Sequence, residues 1–322
     1  MHMISTQKAV DASFGHVKQA LCTSVPGLSE MTTFLAQGTG KGIRTILLVT
    51  SAMDGQGNVP SDAPRAAAAL ELLHMASLVH DDVIDDATTR RGMPALHRKF
   101  DTKSAVICGD YLLSQAMLML AETDTTRLKA DDEYTKLIPT VSRALATLCK
   151  GEYTQHINTG NLNITLPTYL RIIAGKTASL FSVAAYLGGA VGGESLKTTK
   201  NLGRFGRCLG MAFQIVDDCK DYEWTEMRAQ KPVGSDIKSG VITLPLILAM
   251  AKNPDLHYFA KDVLDAKKDH TDFIEAVCKA GGPEAAREWA RRYADTAKRA
   301  LNGLNEAKRQ ALLEILDKAG VL

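Results

Sequence analysis

His80-Asp81-Asp82-Val83-Ile84-Asp85-Asp86-Ala87-Thr88-Thr89-Arg90-Arg91-Gly92 is the stretch that decides how this chain reads. Asp81, Asp82, Asp85 and Asp86 crowd into six residues. They close the most apolar helical pattern of the sequence, Ala66 to Val79, where Leu70, Leu72, Leu73, Met75, Leu78 and Val79 leave almost no polar face. A helix that is apolar all round is buried, so the pattern predicts carboxylates brought to the edge of an apolar interior. At about 100° per residue, Asp81, Asp82 and Asp85 fall within roughly one third of the helix circumference. Like charges that close repel each other. Hard divalent cations relieve the repulsion, and Mg²⁺ commonly takes one or two carboxylates plus substrate phosphates. Arg90 and Arg91 follow at once as fixed cations suited to phosphate.

The pattern recurs. Asp217, Asp218 and Asp221 repeat the D-D-x-x-D spacing after a second apolar helical run, Leu209 to Val216. One such cluster reads equally well as a solvated acidic helix end. Two with the same spacing, each ending a buried helix, predict two carboxylate faces opposed across a cavity, gripping a diphosphate through several Mg²⁺ ions.

No composition break or Pro/Gly/Ser linker divides the sequence, so residues 1–322 read as one domain. Apolar residues make up 45% and charged residues 23%, and the formal net charge is only +2. Bulk charge therefore argues for neither nucleic acid nor an anionic membrane as partner. No apolar run reaches the length of a membrane span, and the N-terminus lacks a signal-peptide pattern. Cysteines 22, 108, 149, 208, 219 and 278 lie far apart without a C-x-x-C. Reduced thiols and a cytoplasmic location are the expectation.

Helical periodicity runs from Ser5 to Cys22, and Ser61 or Asp62 with Pro64 is the expected start of the central helix. Between them G-T-G-K-G-I-R, residues 38–44, is a glycine loop with Lys41 and Arg44 at the start of a helix. It lacks the Walker spacing, and its cations read either as solvated residues or as anion ligands at a helix N-terminus. His74 is either a core histidine or an anion contact. Residues 168–191 form a long apolar helix containing Gly175-Lys176-Thr177. Lys176 there either snorkels outward or meets a charge. Trp224 to Gly240 is polar and reads as a surface loop or a lid. No strand pattern is evident, and the fold class is all-α.

In this order the chain resembles the trans-polyprenyl diphosphate synthases. The likeness rests on G-x-G-K-x-x-R, E-L-L-H, S-L-V-H-D-D-V-I-D-D, R-R-G, G-D-Y-L-L, G-K-T-A-S-L-F, F-Q-I-V-D-D-x-x-D-Y, K-P-V-G-S-D-I and G-V-I-T-L-P-L, which span almost the whole chain. It implies an isoprenoid-synthase bundle of long helices around a central apolar cavity. It also implies Mg²⁺, about three ions per site, held by Asp81, Asp82 and Asp85 and by Asp217, with Asp218 and Asp221 in support. By the same resemblance Arg90, Lys176, Thr177, Gln214 and Lys231 touch the allylic diphosphate, farnesyl diphosphate being the expected primer. Lys41, Arg44, His74 and Arg91 match the metal-free pocket for isopentenyl diphosphate. Asp81, Asp82, Asp85, Lys176 and Asp217 are the implied catalytic set. The sequence departs from the family at Thr45, where Pro is common, and at Val241, where Lys is frequent.

Small side chains at Ala76 and Ser77, about one turn before Asp81, leave room for a growing tail. In the family, aromatics there mark short-chain enzymes. The expected product is therefore long, hexa- to decaprenyl, for a quinone side chain, with a geranylgeranyl synthase as the alternative. Family resemblance further implies a homodimer. A class I terpene cyclase would carry a different second motif and lack the Lys41/Arg44 pocket. A non-catalytic subunit of a heteromeric synthase would have lost aspartates that this chain keeps.

Overall fold

The computed structural model describes residues 3–38, 40, 42–123, 136–223, 234–268 and 270–320. In chain order the elements are β1 (Met3–Ser5), α1 (Thr6–Leu21), α2 (Leu28–Gln37), α3 (Ile43–Ala52), β2 (Asn58–Pro60) and α4 (Ala63–Ile84). There follow β3 (Thr89–Arg90), β4 (Met93–Pro94), α5 (Leu96–Lys99), α6 (Thr102–Ala121), α7 (Leu137–His156) and α8 (Leu166–Ile173). A π-helical turn, Ala174–Ala178, leads into α9 (Ser179–Val191) and α10 (Leu196–Lys220). The chain closes with α11 (Ser235–Lys238), α12 (Leu244–Lys252), α13 (Asp255–Leu264), α14 (His270–Lys279), α15 (Gly282–Ala300) and α16 (Glu306–Lys318). The expected all-α class is observed, apart from two short strand pairs. These strands pair antiparallel as Met3↔Pro60 to Ser5↔Asn58 and as Thr89↔Pro94 with Arg90↔Met93. At two or three residues each they are too short to show the alternation by which a strand is recognised in sequence.

The chain forms two compact units. One comprises residues 1–142, 183–203 and 303–312; the other comprises 143–182, 204–302 and 313–322.

The first unit is built on α4. Asp62 precedes the helix and Pro64 lies in its first turn, where a missing N–H costs nothing. Ala66, Ala67, Ala68 and Ala69 are completely enclosed. Small side chains there let α4 pack closely on α1, α3 and above all α6. Gly109 of α6 leaves the space that the His80 ring fills. That ring lies 3.2 Å from the Val106 carbonyl through Nε2, so His80 is a packing residue. Lys308, 1% exposed, pairs with Glu194, an exception to the solvated cations of the C-terminal helices.

In the second unit the predicted helix 168–191 is interrupted, and the interruption is G-K-T itself. Thr165 caps α8 by accepting from the Thr168 N–H. The following turn is π-helical, a local widening often found at functional sites. Gly175 lies in it against α7, where an added Cβ would come within 2.8 Å of both the Gly151 Cα and the Thr147 carbonyl oxygen.

Two helical stretches, α6 and the run 166–191, are long and apolar enough to cross a membrane by length and composition. The sequence reading missed them because polar residues such as Asp110 and Lys176 break the apolar runs. In 166–191 the apolar window is 61% buried within the protein, as in a core helix; in α6 only 33% is buried.

The close approach at Gly175 gives a stability test. Gly175→Ala should destabilise by about 1–3 kcal/mol, the usual cost of overpacking, read as a lower urea midpoint. An unchanged midpoint would show that α7 and the π-helical turn do not meet backbone to backbone.

Candidate active site

Both aspartate motifs lie at the C-terminal ends of long helices, α4 of 22 residues and α10 of 25. Unpaired carbonyls make that end negative, so added carboxylates deepen a potential that favours cations. The motifs belong to different units.

In the first motif the four carboxylates separate by function. Asp82 is buried and accepts from Arg90 through Nε at 2.8 Å and through Nη2. Asp81 is half-buried, and Asp85, the C-cap residue, is exposed. Asp86 has a left-handed backbone, φ 49°, and turns to Arg98 at 2.6 Å. R-R-G is the tip of the β3–β4 hairpin. Arg91 and Gly92 both have positive φ, 52° and 79°, as a type I′ turn requires. The turn sends the two arginines to different acceptors: Arg90 to Asp82, and Arg91 to the Gly38 carbonyl. Gly40 lies under the Arg91 guanidinium, where a Cβ would come within 2.9 Å of Cζ.

The Arg44 and His74 side chains, with Arg91, form a second positive group. Burial lowers the Arg44 pKa to about 10, with Glu71 opposing the fall and Arg91 adding to it. Burial also depresses His74, and Arg44, Arg91 and Arg90 depress it further, so the imidazole stays neutral among three guanidiniums. Glu71 is the buried counter-charge, and the Thr45 hydroxyl donates to its Oε2 at 3.1 Å. Sequence reasoning gave Glu71 no role and saw Thr45 only as a departure. The signal was the first letter of E-L-L-H, one turn before His74. Beside these groups an apolar cleft is lined by Phe34, Leu35, Met75 and Leu78, with Asp82 and Arg91 also on its wall.

The second motif also separates. Asp217 is exposed, at 54% of its side chain, and lies 3.0 Å from Lys220 Nζ. Asp218 is buried and accepts from Tyr169 at 2.6 Å and from Gln214 Nε2 at 2.7 Å. Gln214 Oε1 in turn accepts from Thr177 Oγ1 at 2.6 Å. Asp221 accepts from the Ser235 N–H at 3.0 Å, the Ser235 hydroxyl at 2.8 Å and the Asp236 N–H at 2.9 Å, so it caps α11. Lys176 does not reach the surface alone; its Nζ donates to Glu152 at 2.8 Å. Burial pushes the Asp218 and Asp236 carboxyls up, and their acidic neighbours add to the rise. Asp236, from K-P-V-G-S-D-I, is a further carboxylate that the sequence reading left without a role.

Ala76 is buried in α4, and Ser77 is half-buried and donates to the His74 carbonyl at 2.9 Å. Lys41 and Lys231 lie outside the described residues. Among the described residues no three His, Cys, Asp or Glu side chains converge on one point that could hold a metal. In each unit taken by itself the motif offers hard carboxylate oxygens, Asp81 and Asp85 in the first and Asp217 in the second, a donor type that fits Mg²⁺ completed by substrate oxygens rather than a closed protein cage.

Comparison with known proteins bears on the whole chain. The sequence model of the polyprenyl synthetase family matches residues 25–280. Heptaprenyl diphosphate synthase component 2 of Bacillus subtilis is 35% identical over 311 residues, covering 96% of this chain and 86% of that protein. The crystal structure of a decaprenyl diphosphate synthase from Rhodobacter capsulatus superposes with a TM-score of 0.87 at 32% identity, covering 97% and 95% of the two chains. A polyprenyl synthase from Caulobacter crescentus, complexed with calcium and isoprenyl diphosphate, also gives 0.87, at 28% identity and 98% and 95% coverage.

The buried carboxyls give a pH test on metal-free protein. Below about pH 4 Asp236 carries a proton both folded and unfolded. As pH rises, the unfolded chain releases that proton first, because the folded pKa is raised. Folded stability is therefore lost from about pH 4 upward into the alkaline range. Asp236→Asn in EDTA should match wild type at pH 4 and melt higher at pH 8. Equal melting temperatures at pH 8 would remove the burial penalty assigned to this group.

Proposed function

The chain belongs to the polyprenyl synthetase family and is a prenyltransferase, and on that premise we propose that it joins isopentenyl diphosphate head to tail to an allylic diphosphate, with Mg²⁺, to make a long trans-polyprenyl diphosphate. The observation that carries this reading is the sorting of charge in the first unit. Arg90 stands with the carboxylates of the first motif, whereas Arg44 and Arg91 surround a neutral His74 without a presented carboxylate. The reaction needs one diphosphate bound through metal and a second bound by cations alone.

Asp81, Asp82 and Asp85, with Asp217 as leading ligand of the second motif and Asp218 and Asp221 behind it, would hold about three Mg²⁺ ions. Bound Mg²⁺ would neutralise the charge that develops on the departing allylic diphosphate. Arg90, Lys176, Thr177, Gln214 and Lys231 orient that diphosphate. Arg90 is released from Asp82, and Lys176 from Glu152, as their new partners arrive. Lys41, Arg44, His74 and Arg91 hold isopentenyl diphosphate so that its double bond faces the allylic carbon. The bond to C1 of the allylic group ionises, the double bond attacks, and loss of a proton to the departing diphosphate restores an alkene. Apolar walls protect the cation from water.

Long products are supported by the small Ala76 and Ser77 and by the hepta- and decaprenyl names of similar proteins. Farnesyl diphosphate is the proposed primer and the cytoplasm the proposed location. The whole chain acts as one catalytic domain in this reading. A homodimer is supported by the apolar, largely uncovered face of α6, where Ile107 and Leu118 are exposed. A second reading comes from the words "component 2" in the Bacillus name: the chain could need a different subunit for activity. Assay of the purified chain alone with farnesyl and isopentenyl diphosphates separates the two.

Asp81→Asn or Asp217→Asn should lower kcat by roughly two orders of magnitude or more with the fold intact, on the scale of losing an electrostatic stabiliser. Turnover undiminished by EDTA would refute the metal-dependent reading. Ala76→Tyr should shorten the product to the farnesyl or geranylgeranyl level while the first condensations continue, because a packed wall has no room for an added ring. Mass analysis of dephosphorylated products reads the length, and wild-type length from an active variant would remove Ala76 from the tail's path.

A further inference from the structure

The buried side of the second motif contains a tyrosine that no motif and no comparison gives a role. Tyr169 lies in α8 and is 2% exposed. Its hydroxyl donates to Asp218 Oδ2 at 2.6 Å, while Asp218 Oδ1 accepts from Gln214 Nε2 at 2.7 Å. Gln214 Oε1 accepts from Thr177 Oγ1 at 2.6 Å. Four side chains from α8, the π-helical turn and α10 thus form one chain of hydrogen bonds.

With Asp218 ionised, each bond in this chain has one direction. A carboxylate accepts only, so the phenol and the amide nitrogen must both donate to it. The amide nitrogen is then committed, which turns Oε1 toward Thr177. The Thr177 proton goes to Oε1, leaving its oxygen lone pairs directed elsewhere. Flipping the amide would place Oε1 against a carboxylate oxygen and NH₂ against the threonine. Removing the phenol would leave half of a buried carboxylate without a donor. Asp218 would then draw the amide away from Thr177 or take up a proton and oppose it.

We propose that Tyr169 is a positioning residue for the allylic diphosphate, acting through Asp218 to fix the Gln214 amide and the Thr177 hydroxyl. This rests on the proposed roles of Gln214 and Thr177 as contacts of that substrate. It further makes Asp218 an acceptor that aligns binding groups, with Asp217 as the ligand presented to metal.

The test is steady-state kinetics with farnesyl and isopentenyl diphosphates on wild type, Tyr169→Phe, Asp218→Asn and the double variant. Tyr169→Phe should raise KM for the allylic substrate about tenfold, the scale of one hydrogen bond to a charged group, and leave KM for isopentenyl diphosphate unchanged. The double variant should be no worse than Asp218→Asn alone, because the two residues act in series. Equal rises in both KM values, no change in either, or additive losses would overturn the proposal, since a residue that only packs has no reason to discriminate between substrates. Should Tyr169→Phe fail to fold, Asp218→Asn keeps the volume and carries the test by itself. It should raise the allylic KM and shift half-saturating Mg²⁺ far less than Asp217→Asn does. A shift in half-saturating Mg²⁺ as large as that of Asp217→Asn would overturn it. A wild-type chain inactive with both diphosphates would instead refute the proposed function, a result distinct from active variants with unmoved constants.

Discussion

Negative charge gathered at the C-terminal ends of two long helices is the constraint from which the other features follow. Backbone carbonyls already make such an end negative, and each motif adds aspartates there. The protein answers with assigned partners rather than with general screening. Asp82 takes Arg90, Asp86 takes Arg98, Asp218 takes Tyr169 and Gln214, and Asp221 takes the start of α11. Asp85 and Asp217 remain exposed, Asp217 beside Lys220, and Asp81 is half-buried. Within the two D-D-x-x-D repeats three carboxylates, Asp82, Asp218 and Asp221, are thus tied to other side chains or to backbone N–H groups.

The cations are handled in the same way. Arg90, Arg91 and Lys176 each have an acceptor of moderate strength when no substrate is bound: a carboxylate, a carbonyl and a carboxylate. In the proposed function a diphosphate, with more charge and more oxygens, displaces these acceptors. Holding long side chains in place beforehand reduces the ordering cost of binding. Arg44 differs: its surroundings lower its pKa to about 10, and the nearby Glu71 charge opposes the fall.

Much of this was legible in the residues. The helical run before Asp81 was apolar on every side, so its burial and its carboxylate end could be read directly. Ser5 and Asp62 marked helix starts as expected, and both aspartate motifs lie at helix ends. The π-helical turn at Gly175-Lys176-Thr177 was not legible, because it depends on Gly151, far away in sequence, admitting a second backbone. Tyr169 read as one apolar position among many; only the fold sets its hydroxyl against Asp218. Thr45 looked like a lost proline and proved to be a donor to Glu71. Local pattern encodes which face is buried, but the partner that a buried polar atom finds comes from another element.

The hairpin at Arg90 to Met93 carries a consequence for how this chain can change. Its tip has two residues and no slack, and Arg91 sits there at a φ that side chains rarely accept. Neighbouring positions in such a ribbon point to opposite sides, so adding or deleting one residue exchanges the sides. A point substitution of either arginine removes one contact. A single-residue slip would send both guanidiniums to the wrong acceptors at once while leaving the composition nearly unaltered. An insertion or deletion within these four residues would therefore disturb both arginine contacts together, which a substitution at either position does not do.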